Sequence, residues 1–219
     1  MNLADYSKLE GTHALFSASK GSWINDVDEG QILNRYINSF ATTIGTSVHK
    51  FAKNCIDHEI KLGKNDKKTL LYHLLTDPEA NIPKGVFDLD YLFSNVRNYV
   101  NDAIMLHMRA EAFVVYSDLS YGTVDAISCV NNFLRIHDLK TGRTPVHIDQ
   151  LLIYAAYYCL DQNINPRDLT GIELRIYQGS QVIYHEPQVE EIERIIAKCF
   201  MCNDVVNKFR NGHIVLEGK

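Results

Sequence analysis

The stretch Tyr121-Gly122-Thr123-Val124-Asp125-Ala126-Ile127, followed by Ile136-His137-Asp138-Leu139-Lys140-Thr141-Gly142, decides the reading of the chain. Each half is an apolar, strand-like run that pauses at a carboxylate. Side chains alternate faces along a strand, so Asp138 and Lys140 point one way and Leu139 points the other, into a core. Asp125 lies 13 residues before Asp138, room for a strand, a two-residue turn and a second strand. Antiparallel neighbours run about 5 Å apart, so the two carboxylates converge if the register allows. Paired carboxylates at a strand edge make a hard, oxygen-rich site suited to Mg²⁺ or Mn²⁺. The Leu139 backbone carbonyl would add a further oxygen ligand. Lys140 beside such an ion would orient a water or hold a phosphate oxygen. Taken alone, an Asp-x-Lys is more often a surface ion pair on an exposed strand.

Working outward, Phe113–Tyr116, Gly122–Val130 and Asn132–Asp138 read as a three-stranded meander, with Asn131-Asn132 as the turn between the last two. Glu111, just upstream of the first strand, is a possible additional acid. Helical spacing returns from Val146 to Leu160 and places Gln150 and Tyr154 on one face. Gln150 is suited to a phosphate or water and Tyr154 to stacking. A loop at Asn163–Arg167 leads to strands at Gly171–Tyr177 and Gln181–Tyr184, joined by Gly179-Ser180. Pro187 opens a last helix reaching about Phe209.

Upstream of the meander the pattern is helical. Apolar residues recur at helical spacing from about Gln31 to Leu62, and Gly45-Thr46 is expected to break this into two helices, the second opening at Thr46 or Ser47 and carrying His49. A lone helical histidine is more often a core or surface residue, but neutral imidazole is also a ligand that favours Mn²⁺. Thr69–Leu75 and Phe87–Met108 are further helices. Ser17-Ala18-Ser19-Lys20-Gly21-Ser22-Trp23 reads either as a phosphate-holding stretch or as a helix cap before a buried tryptophan. The expected architecture is therefore α/β, one domain over 1–219, with a mainly helical N-terminal part (1–108) and an α/β core (109–219) that carries the site.

Composition sets limits. Hydrophobic residues at 46% and charged residues at 22% are those of a globular protein. No run approaches the ~18 apolar residues of a membrane span, and the N-terminus has no basic-then-apolar signal, so a cytoplasmic protein with no membrane partner is expected. The net charge of −5 argues against wholesale nonspecific nucleic-acid binding but not against a local basic groove. Five cysteines, an odd number in mostly apolar segments, fit reduced core thiols better than disulfides.

The ordered set Gly45-Thr46-Ser47-Val48-His49, Gly122-Thr123-Val124-Asp125, Asp138-Leu139-Lys140-Thr141-Gly142 and Gln150-Leu151-Leu152-Ile153-Tyr154 resembles the RecB-like branch of the PD-(D/E)xK nuclease superfamily, which includes phage exonucleases and CRISPR-associated adaptation nucleases. Each motif is weak by itself; four in order are fairly specific. The resemblance runs from about Ser17 to Tyr177. It implies a restriction-endonuclease-like core, a mixed sheet flanked by helices. It implies His49, Asp125, Asp138 and the Leu139 carbonyl as ligands of Mg²⁺ or Mn²⁺, and Lys140 as the group assisting the attacking water. Gln150 and Tyr154 would support the site and touch DNA, and Ser17 and Ser19 loosely match a serine-containing opening.

The implied function is a metal-dependent DNA nuclease, leaning to an exonuclease acting on ends in recombination, repair or phage DNA processing, with a recombination or replication protein as a further partner. Two departures stand out. The acid before Lys140 is Asp, where many members have Glu. Some members hold an iron–sulfur cluster on one early and three late cysteines, whereas here only Cys199 and Cys202 lie late, so no cluster is expected. The alternatives are a catalytically inactive nuclease-fold protein that binds DNA or a partner, and a phosphohydrolase acting on a small nucleotide.

Overall fold

The structure, a computed structural model, describes residues 13–214. Five strands form one mixed sheet in the order β1 (Arg109–Ser117), β2 (Ser120–Val130), β3 (Phe133–Lys140), β4 (Gly171–Gln178), β5 (Gln181–His185). β1, β2 and β3 are antiparallel neighbours. β3 and β4 run parallel, so the chain must cross over between them, and it does so through α5 (Asp149–Asp161). β5 returns antiparallel along β4. The β2–β3 turn is Asn131-Asn132, both at positive φ (53° and 58°), the backbone that a two-residue hairpin needs and that Asn tolerates.

One face of the sheet is covered by α2 (Ala41–Asp57) and α4 (Leu89–Met105), with α3 (Lys67–Thr76) packed against both. Val48, Phe51, Leu70, Leu74, Val96 and Tyr99 close over Ala126, Leu139 and Tyr177. The other face is covered by α5 and α6 (Val189–Arg210), whose Leu151, Ala155 and Ile192 meet Ile136, Leu174 and Ile176. The central strands are thus buried on both sides, and each large apolar side chain removed from water there contributes roughly 1.5–3 kcal/mol. The expected α/β class, a mixed sheet flanked by helices, is the observed one. Among the described residues no helix is long and apolar enough to cross a membrane.

The break between the first two helices is not at Gly45-Thr46. α1 (Glu29–Ser39), capped by Asp28 accepting from the Gln31 amide, ends at Phe40, and α2 starts at once. Gly45 sits inside α2. Its reason is tertiary: a Cβ there would lie 3.3 Å from Thr141 Oγ1, so the missing side chain lets the end of β3 approach the helix. Thr46 and Ser47 cap nothing. Thr46 donates back to the Thr42 carbonyl (3.1 Å), and buried Ser47 donates to Asp77 (2.8 Å).

Trp23 is only half-buried, in a short 3-10 segment (Ala18–Asn25), with its indole N–H donating to the Ser17 carbonyl at 3.0 Å. The cysteines are all free; Cys55 and Cys159 are core thiols, but Cys202 is exposed on α6.

Candidate metal centre

β1 and β2 switch faces at one rung. In a regular strand residues i and i+2 share a face. Ala110 instead joins the core under α2 and α4, while Ala112 and Val114 join the core under α5 and α6; across the ladder Ala126 and Val124 divide the same way. The register pairs Ala110 with Ala126 and Ala112 with Val124, so the switch falls on Glu111 and Asp125. Glu111 has φ 49°, a left-handed backbone that costs a non-glycine residue about 1–3 kcal/mol. Glu111 therefore lies inside the first strand rather than upstream of it, and the irregular rung turns its carboxylate and that of Asp125 toward α2.

From α2, His49 meets them. Its Nδ1 lies 3.5 Å from Asp125 Oδ1 and 3.8 Å from Glu111 Oε1. One ligand atom from each of these three residues falls within 4.8 Å of the others, a spacing that could hold a metal ion. Asp125 Oδ2 also accepts the Leu139 amide at 2.8 Å, which ties its carboxylate to the strand segment bearing Asp138. Burial lowers the His49 pKa, but the Asp125, Glu111 and Asp138 carboxylates outweigh it and the net shift is upward. Glu111 is raised by burial and by the Asp125 charge. The site thus draws in positive charge, and a ligating imidazole would exchange its proton for the metal.

Asp138 stands beside this triad. It is 4% exposed, and burial followed by the Asp125 charge raises its carboxyl to about 6, against the pull of Lys140. Lys140 Nζ lies 3.0 Å from both Asp138 oxygens, but only Oδ1 is placed to accept a directed hydrogen bond. Oδ2 is buried without one. A buried carboxylate oxygen with an unused lone pair, next to two more acids and an imidazole, fits a hard divalent cation. Leu139 keeps its side chain in the core behind the site.

Lys140 Nζ also donates to Gln150 Oε1 at 3.0 Å, and Gln150 Nε2 donates to the Tyr154 hydroxyl at 3.3 Å. The Tyr154 ring lies against Gly122, where a Cβ would stand 2.7 Å from Tyr154 Cε1. The close approach at Gly122 is thus by an aromatic side chain of α5, and it sets the chain Tyr154–Gln150–Lys140–Asp138 in place.

His49, Glu111, Asp125, Asp138, Lys140, Gln150 and Tyr154 all line one cleft of about 680 Å³. Ser17 and Ser19 do not line it; they hydrogen-bond to each other at 2.8 Å. Two lysines that sequence reading passed over do line it, Lys50 and Lys53 of α2, paired outward with Glu79 and Asp57. A signal existed: Thr46, His49 and Lys53 stand at i−3, i and i+4, a single stripe on the helix.

No protein-family model matches the chain, and no curated protein and no solved structure matches it.

Proposed function

We propose that the chain is a Mg²⁺- or Mn²⁺-dependent DNA nuclease with a restriction-endonuclease-like core, of the RecB-like PD-(D/E)xK kind, acting in the cytoplasm on DNA ends. One observation carries the reading. Acids, imidazole, lysine and glutamine from five separated stretches of sequence converge on one cleft, and among them is a buried carboxylate oxygen that accepts no directed hydrogen bond. A surface ion pair has no need of that company.

His49, Glu111 and Asp125 would hold the ion, with Asp138 lining the same cleft. Such an ion supplies Lewis acidity to a phosphoryl oxygen and lowers the pKa of a water. The protein does the rest. Lys140, fixed between Asp138 and Gln150, keeps a third N–H for a phosphate oxygen or for the attacking water, and its charge opposes the negative charge that develops in the transition state. Gln150 accepts from the Lys140 ammonium and so holds it in line, and is itself held by Tyr154. Lys50 and Lys53 offer charge to flanking phosphates.

The test is incubation of purified protein and Mn²⁺ with end-labelled linear, circular and single-stranded DNA. Cleavage of the linear substrates and loss of that cleavage in Asp125→Asn are expected. Intact DNA under every condition at enzyme excess refutes the nuclease reading, and DNA binding without cleavage points to a nuclease-fold binding protein instead. Unaltered cleavage by Lys140→Ala refutes only the role given to that lysine.

A further inference from the structure

The face switch at Glu111 and Asp125 has a second result. Beyond it, the even residues of the β1–β2 ribbon turn to α5 and α6, as Val124 and Val114 do. The odd residues Phe113, Val115, Tyr121 and Thr123 turn to the α2 side. Among the described residues, the helices on that side close over Ala110 and Ala126 and leave the far end of the ribbon exposed. Phe113 is 57% exposed and Tyr121 58% exposed. Their rings stand 5.8 Å apart, tilted by 45°. Phe113 pairs in register with Thr123, and Thr123 lines the cleft that holds His49 and Asp125.

We propose that Phe113 and Tyr121 form a stacking platform for the unpaired bases of a single nucleic-acid strand whose backbone runs through the cleft. This rests on the nuclease reading and sharpens it to a substrate class, single-stranded or frayed DNA. Two features select this occupant over a protein. The platform is continuous with the cleft through Thr123. The cleft is also lined by Lys50 and Lys53, whose partners Glu79 and Asp57 are exposed surface carboxylates that a phosphate can replace, so a chain crossing it meets cations and then exposed aromatic faces. Basic side chains interleaved with aromatic rings are what a single strand needs, phosphates on one and bases on the other. A paired duplex keeps its bases stacked on each other and has no use for the rings.

The platform is distinguishable from the metal centre because stacking needs no metal. The experiment measures binding of a short oligothymidine carrying one 2-aminopurine, and of a blunt duplex of equal length, in EDTA, by anisotropy and by 2-aminopurine fluorescence. Wild type is expected to bind the single strand and quench the 2-aminopurine. Phe113→Ala and Tyr121→Ala are each expected to weaken single-strand binding by roughly five- to a hundredfold, with quenching lost and duplex binding little changed. Phe113→Tyr retains both. Lys50→Ala with Lys53→Ala lowers the slope of log K against log salt by about 1.4 and leaves quenching of the bound strand intact.

The aromatic positions are exposed, so the alanine variants fold, and unchanged Mn²⁺ affinity checks this. Equal losses on single strand and duplex, no loss on either, or no single-strand binding by wild type overturn the platform. Concentration-dependent self-association of wild type that the alanine variants abolish overturns it too, and assigns the face to a second copy. None of these results touches cleavage by the metal centre, which the DNA digestion reads separately.

Discussion

Replacing Asp138 by asparagine should stabilise the metal-free protein while disabling it. The carboxyl of Asp138 titrates near 3.8 in an unfolded chain and at about 6 in the fold, because it is buried and faces Asp125. The sign follows from linkage. Between those two values the folded state binds the proton more tightly, so this group's contribution is best below about 4 and is lost as the pH rises through about 6. At 1.36 kcal/mol for each pKa unit, the ionised carboxylate costs the fold at most about 3 kcal/mol near neutral pH. The asparagine side chain of Asp138→Asn would be nearly isosteric and uncharged. Lys140 would lose its ion pair but keep Gln150 at 3.0 Å, an offset of about 1 kcal/mol for a partly exposed lysine. The net gain is about 1–2 kcal/mol, or a rise in Tm of ~3–6 °C for a chain of this size. Thermal unfolding followed by circular dichroism in EDTA, at about pH 7.5 and about pH 5, measures it. The gap should narrow at the lower pH, where the wild-type carboxyl is already protonated. Mn²⁺ should raise the Tm of wild type well above that of the variant, since it adds positive charge beyond that of Lys140 beside a cluster of carboxylates. A variant that melts at or below wild type in EDTA near neutral pH, or a gap indifferent to pH, would show that Asp138 is not held under electrostatic strain.

Gly122→Ala should cost about 1–3 kcal/mol, because its Cβ would fall 2.7 Å from Tyr154 Cε1; in a double-mutant cycle the cost should vanish on a Tyr154→Ala background, and additivity there would disprove the contact. Glu173→Gln tests the buried group behind the site. His137 and Arg175 hydrogen-bond Glu173 and, against its burial, hold its carboxyl at about 2. That stability is present above the unfolded value of 4.5 and is lost as pH falls through about 2, so the variant should lose on the order of 2 kcal/mol near neutral pH and converge with wild type in acid, as read by urea unfolding across pH. Asn132→Ala, at φ 58°, should cost about 1–2 kcal/mol, and Asn132→Gly should not; equal effects would mean the turn has another conformation.

Much of the fold was legible because it is written in local periodicity. Alternation marks the β2 and β3 strands, Asn131-Asn132 marks a turn that demands positive φ, and the 3.6-residue stripes of α2, α4 and α5 need only neighbouring residues to be seen. The site was legible in part for the same reason. Asp138 and Lys140 share a strand face, and Gln150 and Tyr154 share a helix face, by spacing alone.

What spacing could not show depends on residues far apart in the chain. Gly45 reads as a helix break because locally glycine weakens a helix; only the approach of Thr141 explains it. Lys50 and Lys53 gain meaning once α2 turns that stripe to the acids. Glu111 falls upstream of a strand by its pattern, yet its positive φ, set opposite Asp125, reverses the faces of two strands at once. The sequence by itself determined the elements, their order and the list of chemically capable side chains, since those follow from residue type and short-range sterics. The tertiary structure alone decided which of them meet. It joined Glu111 to His49 and Asp125, set Asp138 beside them on Lys140, and left Ser17 and Ser19 out, because burial and charge act through space rather than along the chain.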